Sequence, residues 1–299
     1  MNKKRIKNLI IWTACVTLVA CGSAESEQVL KTYPDGKTQE VELYTGTGSG
    51  QVKIARVGYY RNGAMSFEET YKSGVITGYT GWWPEGQKKQ QRFYDGGEMI
   101  SEKSYDSDGV EHLTQDQIDD IVARLADFEG EEATADDIAV IETTAGTMLF
   151  RFYTDIAPIH ANNFKRLANF GFYDGTTFHR VIPGFVIQGG DINSRDANRA
   201  NDGNGGPGYT IPAEFNPLPH VKGTLAMARS PQGPNTAGSQ FYIALGRLAQ
   251  LDNEYTVFGE LIKGMEIIEA IAGATTDPAD NPISPQRMIK VRVAPAASD

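Results

Sequence analysis

Cysteine is nearly absent: the 299 residues contain only Cys15 and Cys21, both at the very start of the chain. No structural disulfide or thiolate metal cluster can be drawn from the rest, and a thiol protease is disfavoured. Histidine is sparse as well, and His112, His160, His179 and His220 show no HExxH-type spacing. A zinc enzyme is therefore disfavoured too, and neither a metal nor a cofactor is expected. Positive charge is short: the formal net charge is −10, and the only dense basic cluster is Lys3, Lys4, Arg5 and Lys7. A chain this acidic is a poor partner for a phosphate backbone, so no nucleic acid is expected among its ligands. With 40% apolar and 22% charged residues, neither a disordered chain nor a multi-span membrane protein fits.

Long apolar runs are missing apart from Leu9–Ala20, which is uncharged and twelve residues long. As a helix it spans about 18 Å, short of a hydrocarbon core of about 30 Å, so it reads as a signal sequence behind a basic start. It ends Leu18-Val19-Ala20-Cys21-Gly22, which resembles a bacterial lipobox. That resemblance implies cleavage before Cys21, acylation of Cys21 and a lipid bilayer as partner. Residues 1–20 are then the signal peptide and 21–29 a tether. The expected location is the bacterial cell envelope, as a membrane-anchored lipoprotein facing the periplasm, with the outer membrane favoured because Gly22 is not aspartate.

An aromatic followed three residues later by glycine recurs at Tyr60/Gly63, Tyr71/Gly74, Trp83/Gly86 and Tyr94/Gly97, with an outlying copy at Tyr33/Gly36 and a stretched one at Tyr105/Gly109. Such regularity marks a repeat. Polar residues before a glycine form turns, because glycine accepts positive φ. Residues 30–113 are therefore expected to be a run of β-hairpins, each burying its aromatic against the next. The pattern loosely resembles MORN-like repeats. Either the aromatics are the core of a small β-meander, or a face around Trp82, Trp83 and Phe93 docks a protein or envelope partner. From Thr114 a capping box with Gln117 predicts a helix bearing Ile118, Ile121, Val122 and Leu125 on one face. The charged run Glu129–Ala133 is the expected domain boundary, within a helix-and-acidic-linker segment 114–137.

The pattern from 138 to 293 is mostly short strands with glycine-rich turns. Strands are expected at Ile138–Thr143, Thr147–Phe152, Phe178–Val181, Val186–Gly189, Thr224–Ala228, Gln240–Ala244, Val257–Leu261 and Ile289–Val293. Helices are expected near Ile159–Phe170 and Met265–Ile271, and residues 294–299 form a tail. The fold class is mainly β: a closed barrel capped by two helices and preceded by a hairpin-repeat domain. Within Phe178–Asp191, Arg180 and Gln188 stand among apolar residues, and their even separation on extended chain puts both on one face. Polar groups in such surroundings must be paired or used.

This stretch, with Met227-Ala228, Gly233–Tyr242 and Val257-Phe258-Gly259, resembles the cyclophilins over essentially all of 138–293. The resemblance implies a cyclophilin-like barrel and peptidyl-prolyl cis-trans isomerase activity on proline-containing polypeptides. It assigns Arg180 the catalytic role. Phe185, Val186, Tyr242 and Leu251 would wall the proline pocket, and Gln188 would hold the substrate carbonyl. Ala228 and the Arg229 backbone would line the groove, Gln240 would support Arg180 and Gln188, and Tyr255 would line the rim. Gln250 stands where many eukaryotic members have tryptophan and Tyr255 where they have histidine; Ser230-Pro231-Gln232 adds two residues, and Asn193–Asn204 is a polar loop with Arg195 and Arg199. Both segments are expected to reshape the groove's edge. Two other readings stay open: a proline-binding module without useful turnover, and an envelope scaffold acting through its repeats.

Overall fold

The structure is a computed structural model that describes residues 26–296. The expected signal peptide and Cys21 lie outside the described residues. Two compact units divide between Glu111 and His112. No helix among the described residues is long and apolar enough to cross a membrane.

The first unit is a seven-stranded antiparallel meander in chain order: β1 (Ser26–Thr32), β2 (Thr38–Thr45), β3 (Val52–Tyr59), β4 (Met65–Lys72), β5 (Val75–Trp82), β6 (Lys88–Asp95) and β7 (Glu98–Ser104). Because β1 starts at Ser26, residues 26–29 belong to a strand and not to the expected tether. Two turn types alternate along the repeat from Tyr60 onward, whereas β2 and β3 are joined by a longer loop with a 3-10 turn at Gly48–Gly50. At Tyr33, Tyr60, Trp83 and Asp106 the residue's N–H donates to the carbonyl four positions on, and the glycine three positions on returns a bond, as Gly63 N does to Tyr60 O at 2.9 Å. Each of these glycines has positive φ, 81° to 98°, a conformation that strains residues with a Cβ. The last copy therefore starts at Asp106, not Tyr105: its spacing is regular and an aspartate replaces the aromatic. At Tyr71 and Tyr94 the aromatic sits in the strand, and two-residue turns follow, Ser73-Gly74 and Gly96-Gly97, with positive φ throughout.

The aromatics are half-buried and act as donors more than as core. Tyr33 Oη donates to Tyr59 O at 2.9 Å, Tyr60 Oη to Trp82 O at 2.8 Å and Trp83 Nε1 to Asp106 O at 3.1 Å, tying each turn to the next unit. The fully buried apolar cluster is small: Val41, Ala55 and Val57. Phe93 is exposed, whereas Trp82 and Trp83 are half-buried.

The second unit opens with α1 (Gln115–Ala126), capped at Thr114 by the reciprocal bonds the motif predicts. Ile118 and Leu125 are buried in this unit's main core, and Arg166 Nε donates to Phe128 O at 2.9 Å. Helix and acidic segment thus belong to the second unit, and the expected boundary at 129–133 moves to 111/112. Next come β8 (Asp137–Thr143), β9 (Gly146–Phe152), α2 (Pro158–Phe170), β10 (Arg180–Ile182), β11 (Val186–Gly189), β12 (Thr224–Met227), β13 (Phe241–Ala244), β14 (Val257–Lys263), α3 (Met265–Ala272) and β15 (Met288–Pro295). Residues 294–295, expected in the tail, extend β15.

These strands form one eight-stranded sheet in the order β10-β11-β13-β12-β14-β9-β8-β15. Between the end strands no ladder runs; the bridge Thr177–Arg287 and single bonds such as Val181 N to Asp280 O, 2.8 Å, span the gap. The inner face packs around Phe164 of α2, whose ring lies 5.0 Å from Tyr173, 5.3 Å from Phe241 and 5.7 Å from Phe258. Period-2 alternation sends Ile187, Phe241 and Ile243 into this core and Val186, Gln188 and Tyr242 to the other face. That outer face has its own cluster: Val186, Ala226, Tyr242, Ala244, Leu248 and Val257.

Glu214 replaces a local cap on α2: it accepts from Ile159 N at 3.0 Å and His160 N at 2.9 Å, and its Oε2 meets His160 Nδ1 at 2.6 Å. A carboxylate there satisfies orphan donors and complements the helix dipole. Burial holds His160, His179 and His220 below the ordinary histidine value. The unfolded chain therefore takes up protons that the native one refuses as pH drops through about 6.5, and stability falls with pH there. Asp202, pushed up to about 6 by burial, acts oppositely but is one group against three. In the full chain, urea midpoints followed at methyl resonances of Leu167 and Ile187 should be lower at pH 5.5 than at pH 8; an equal or higher midpoint contradicts the assignment.

Candidate active site

The Arg180 side chain is placed by a hairpin. The chain reverses between β10 and β11 through Pro183-Gly184, with Gly184 at φ 75°, and Arg180 pairs directly across from Gln188. The two share a face because they are cross-strand partners, not because they lie eight residues apart on one extended strand. Expected strand Phe178–Val181 shortens to Arg180–Ile182, and Phe178 is core.

A chain of hydrogen bonds fixes the polar side of the site. Arg180 Nη1 donates to Gln188 Oε1 at 3.5 Å, Gln188 Nε2 donates to Gln240 Oε1 at 3.0 Å, and Gln240 Nε2 donates to the carbonyls of Gly203 and Gly205 at 2.8 and 2.9 Å. Its direction is forced: a guanidinium only donates, so each amide must present its oxygen toward Arg180 and its nitrogen away. The carboxylate of Asp280 approaches Arg180 Nε at 4.0 Å from the other side. The arginine side chain is 40% exposed, so its head is available to a ligand.

Next to it lies a cleft of about 270 Å³ lined by Arg180, Phe185, Val186, Gln188, Ala228, Arg229, Tyr242, Leu251 and Tyr255. Nine of the ten expected site residues therefore meet in one cavity. The tenth, Gln240, stands behind Gln188 as the bonds above require. Tyr242 and Tyr255 meet edge to face at 5.8 Å, and the Arg229 guanidinium lies 4.7 Å over the Tyr255 ring while its Nε donates to Glu254 O. Burial pushes the Tyr242 phenol far up, so it stays a neutral hydroxyl. The cleft is thus a largely apolar cup that carries two guanidinium groups, Arg180 and Arg229, among its lining residues.

A second cleft, about 770 Å³, shares Gln188, Ala228 and Arg229 with the first and continues along Gln240, Gly203–Thr210, Pro231 and Gln232. The added residues therefore form a wall of this neighbour. Arg199 does not face either cleft. Its Nη2 braces the 277–282 segment through Asp277 Oδ2 at 3.0 Å and Pro282 O at 2.9 Å.

Residues 138–293 match the sequence profile described as "Cyclophilin type peptidyl-prolyl cis-trans isomerase/CLD". The chain belongs to the cyclophilin-type peptidyl-prolyl isomerase family. It is 48% identical over 122 residues to a peptidyl-prolyl cis-trans isomerase of Synechococcus elongatus, covering 41% of this chain and 78% of that one. It is 42% identical over 164 residues to peptidyl-prolyl cis-trans isomerase-like 1 of Neurospora crassa, covering 53% and 94%. Among solved structures, a cyclophilin type peptidyl-prolyl cis-trans isomerase of Cryptosporidium parvum superimposes with a TM-score of 0.50 at 32% identity, over 54% of this chain and 99% of that one. The second unit is accordingly a cyclophilin-type isomerase domain with α1 added ahead of the matched region.

Sequence reasoning missed three residues around the cyclophilin cleft. His220 and Asp252 stand behind Tyr242, and Asp280 stands beside Arg180. His220 lies 22 positions from Tyr242 and 32 from Asp252, and Asp280 lies 100 from Arg180, so no local spacing announces them.

Proposed function

We propose that the Arg180 cleft is where this isomerase turns X-Pro bonds, and that its clients are exported or envelope proteins met from a lipid anchor at Cys21. Rotation of such a bond faces a barrier of about 20 kcal/mol, because amide resonance gives the C–N bond double-bond character. No bond to carbon, nitrogen or oxygen has to break. What is needed is an environment that prefers the twisted amide to either planar one.

In this reading the proline ring enters the cup of Phe185, Val186, Tyr242, Leu251 and Tyr255. Ala228 and the Arg229 backbone flank the preceding residue, and the second amide N–H of Gln188 holds the substrate carbonyl. As the bond twists, the nitrogen lone pair leaves conjugation and localises. Arg180 then donates a hydrogen bond to it, which is stronger in the transition state than in the ground state. The observation that carries this reading is the one-way amide chain, which holds a permanently charged planar donor at the rim of an apolar cup.

NMR exchange spectroscopy of an Ala-Pro peptide with the full chain tests the site. Wild type should accelerate cis-trans exchange, and Arg180→Ala should lose about a hundredfold or more of that acceleration while peptide shifts persist. Binding without acceleration by wild type would make the domain a proline-recognition module instead.

The anchor rests on the order basic start, short apolar run, Leu-Val-Ala-Cys-Gly. Proline isomerisation takes tens to hundreds of seconds uncatalysed, so a tethered catalyst serves chains that fold after export. In a bacterial host Cys21→Ser should move the protein from the membrane to the soluble fraction and abolish acyl labelling; unchanged fractionation contradicts the anchor.

A further inference from the structure

Behind the proline cup runs a second polar chain, buried and separate from the one that holds Arg180. His220 is fully buried. Its Nε2 lies 2.9 Å from Tyr242 Oη, and its Nδ1 lies 3.1 Å from Asp252 Oδ1, which also accepts from His220 N at 2.9 Å. Arg247 pairs with the other Asp252 oxygen and reaches His220 O from Nη1 at 3.4 Å. The His220 and Tyr242 rings stack, with centroids 5.9 Å apart and planes 15° from parallel.

The chemistry of this string allows one arrangement. Arg247 keeps Asp252 ionised, well below the usual carboxylate range, and an ionised carboxylate only accepts, so the imidazole proton must sit on Nδ1. Nε2 is then a bare acceptor, and the Tyr242 hydroxyl must donate to it. The hydroxyl therefore points away from the cleft, and the cleft sees only the ring of a side chain that is 4% exposed.

We propose that His220 is a positioning residue of the isomerase: as the neutral Nδ1–H tautomer it holds the Tyr242 hydroxyl and so fixes the rear wall against which the proline ring packs. The proposal rests on the reading of the cleft given above. Asp252, Arg247 and Tyr242 are the charged and titratable groups facing His220; Tyr255 and Arg229 lie one ring further out. Protonation of His220 turns Nε2 into a donor and forces the Tyr242 hydroxyl proton off it. Burial lowers the imidazole's proton affinity even against the Asp252 charge, so the holding form is the one present at neutral pH. The string should govern binding of the proline residue and leave the Arg180 step alone.

The test uses the full chain, an Ala-Pro peptide and NMR. Long-range proton–nitrogen correlation should show His220 as the Nδ1–H tautomer at pH 7.5; the Nε2–H form would overturn the proposal. His220→Leu should weaken peptide binding about threefold to tenfold, the effect of one lost hydrogen bond, with turnover of bound peptide within about twofold. His220→Gln, which returns an acceptor, should recover part of the loss. Wild-type binding should weaken toward acid pH, and that limb should be missing in His220→Leu. Unchanged affinity and an unchanged pH profile in a folded His220→Leu protein would overturn the proposal. If that variant fails to fold, Tyr242→Phe decides: it keeps the ring, and affinity equal to wild type contradicts a role for the string. Failure of the peptide to shift Tyr242 and Arg180 resonances in wild type would instead overturn the reading of the cleft itself.

Discussion

The Arg180 face of the second unit's sheet depends on one cross-strand pair. Arg180 and Gln188 stand opposite each other in a short hairpin, and the arginine's inability to accept a hydrogen bond sets the direction of every amide behind it. The chain ends on the carbonyls of Gly203 and Gly205, so a loop more than twenty residues away from Arg180 contributes to where its head rests. A guanidinium left to itself has many rotamers. Held this way it offers a donor at a defined edge of an apolar cup, without a metal or proton relay in the proposed step.

The same sheet serves two environments. Its inner face meets the aromatic cluster around Phe164, where side chains are fully excluded from water, and its outer face carries a thinner cluster that opens into the cleft. Strand alternation makes the division automatic: Phe241 and Ile243 anchor β13 in the core while Tyr242 between them faces the cleft. Packing on one face thereby positions the cleft's lining on the other. The repeat unit is built on a different principle, with few buried apolar groups and a ladder of aromatic side chains donating to the backbone of the next turn.

Much of the second unit was legible in the sequence because its chemistry is concentrated in short segments. Arg180, Phe185, Val186 and Gln188 occupy one hairpin, and Gln240 stands immediately before the strand that carries Tyr242, so their grouping survives without coordinates. The reason first offered for the Arg180–Gln188 pairing, period-2 spacing along a strand, was incorrect although both residues do share a face; Pro183-Gly184 signals the reversal. The domain boundary was misplaced because a charged, glycine-containing run reads as linker, whereas α1 buries Ile118 and Leu125 in the second unit's core and Arg166 Nε donates to Phe128 O just past the helix end. The repeat's final copy was misread by one residue, since Asp106 takes a position filled elsewhere by an aromatic. His220 and Asp252 left no local trace: 32 positions separate them, and only the folded sheet brings them behind Tyr242.

The central claim is that orientation of the Arg180 donor, beyond its charge, accelerates the twist. Arg180→Lys keeps the charge but replaces a planar fork held by Gln188 with a mobile ammonium. Measured by NMR exchange on an Ala-Pro peptide, its turnover of bound peptide should fall at least about tenfold, with affinity within about threefold of wild type. Turnover equal to wild type would show that a positive charge near the cup suffices, and would contradict the account.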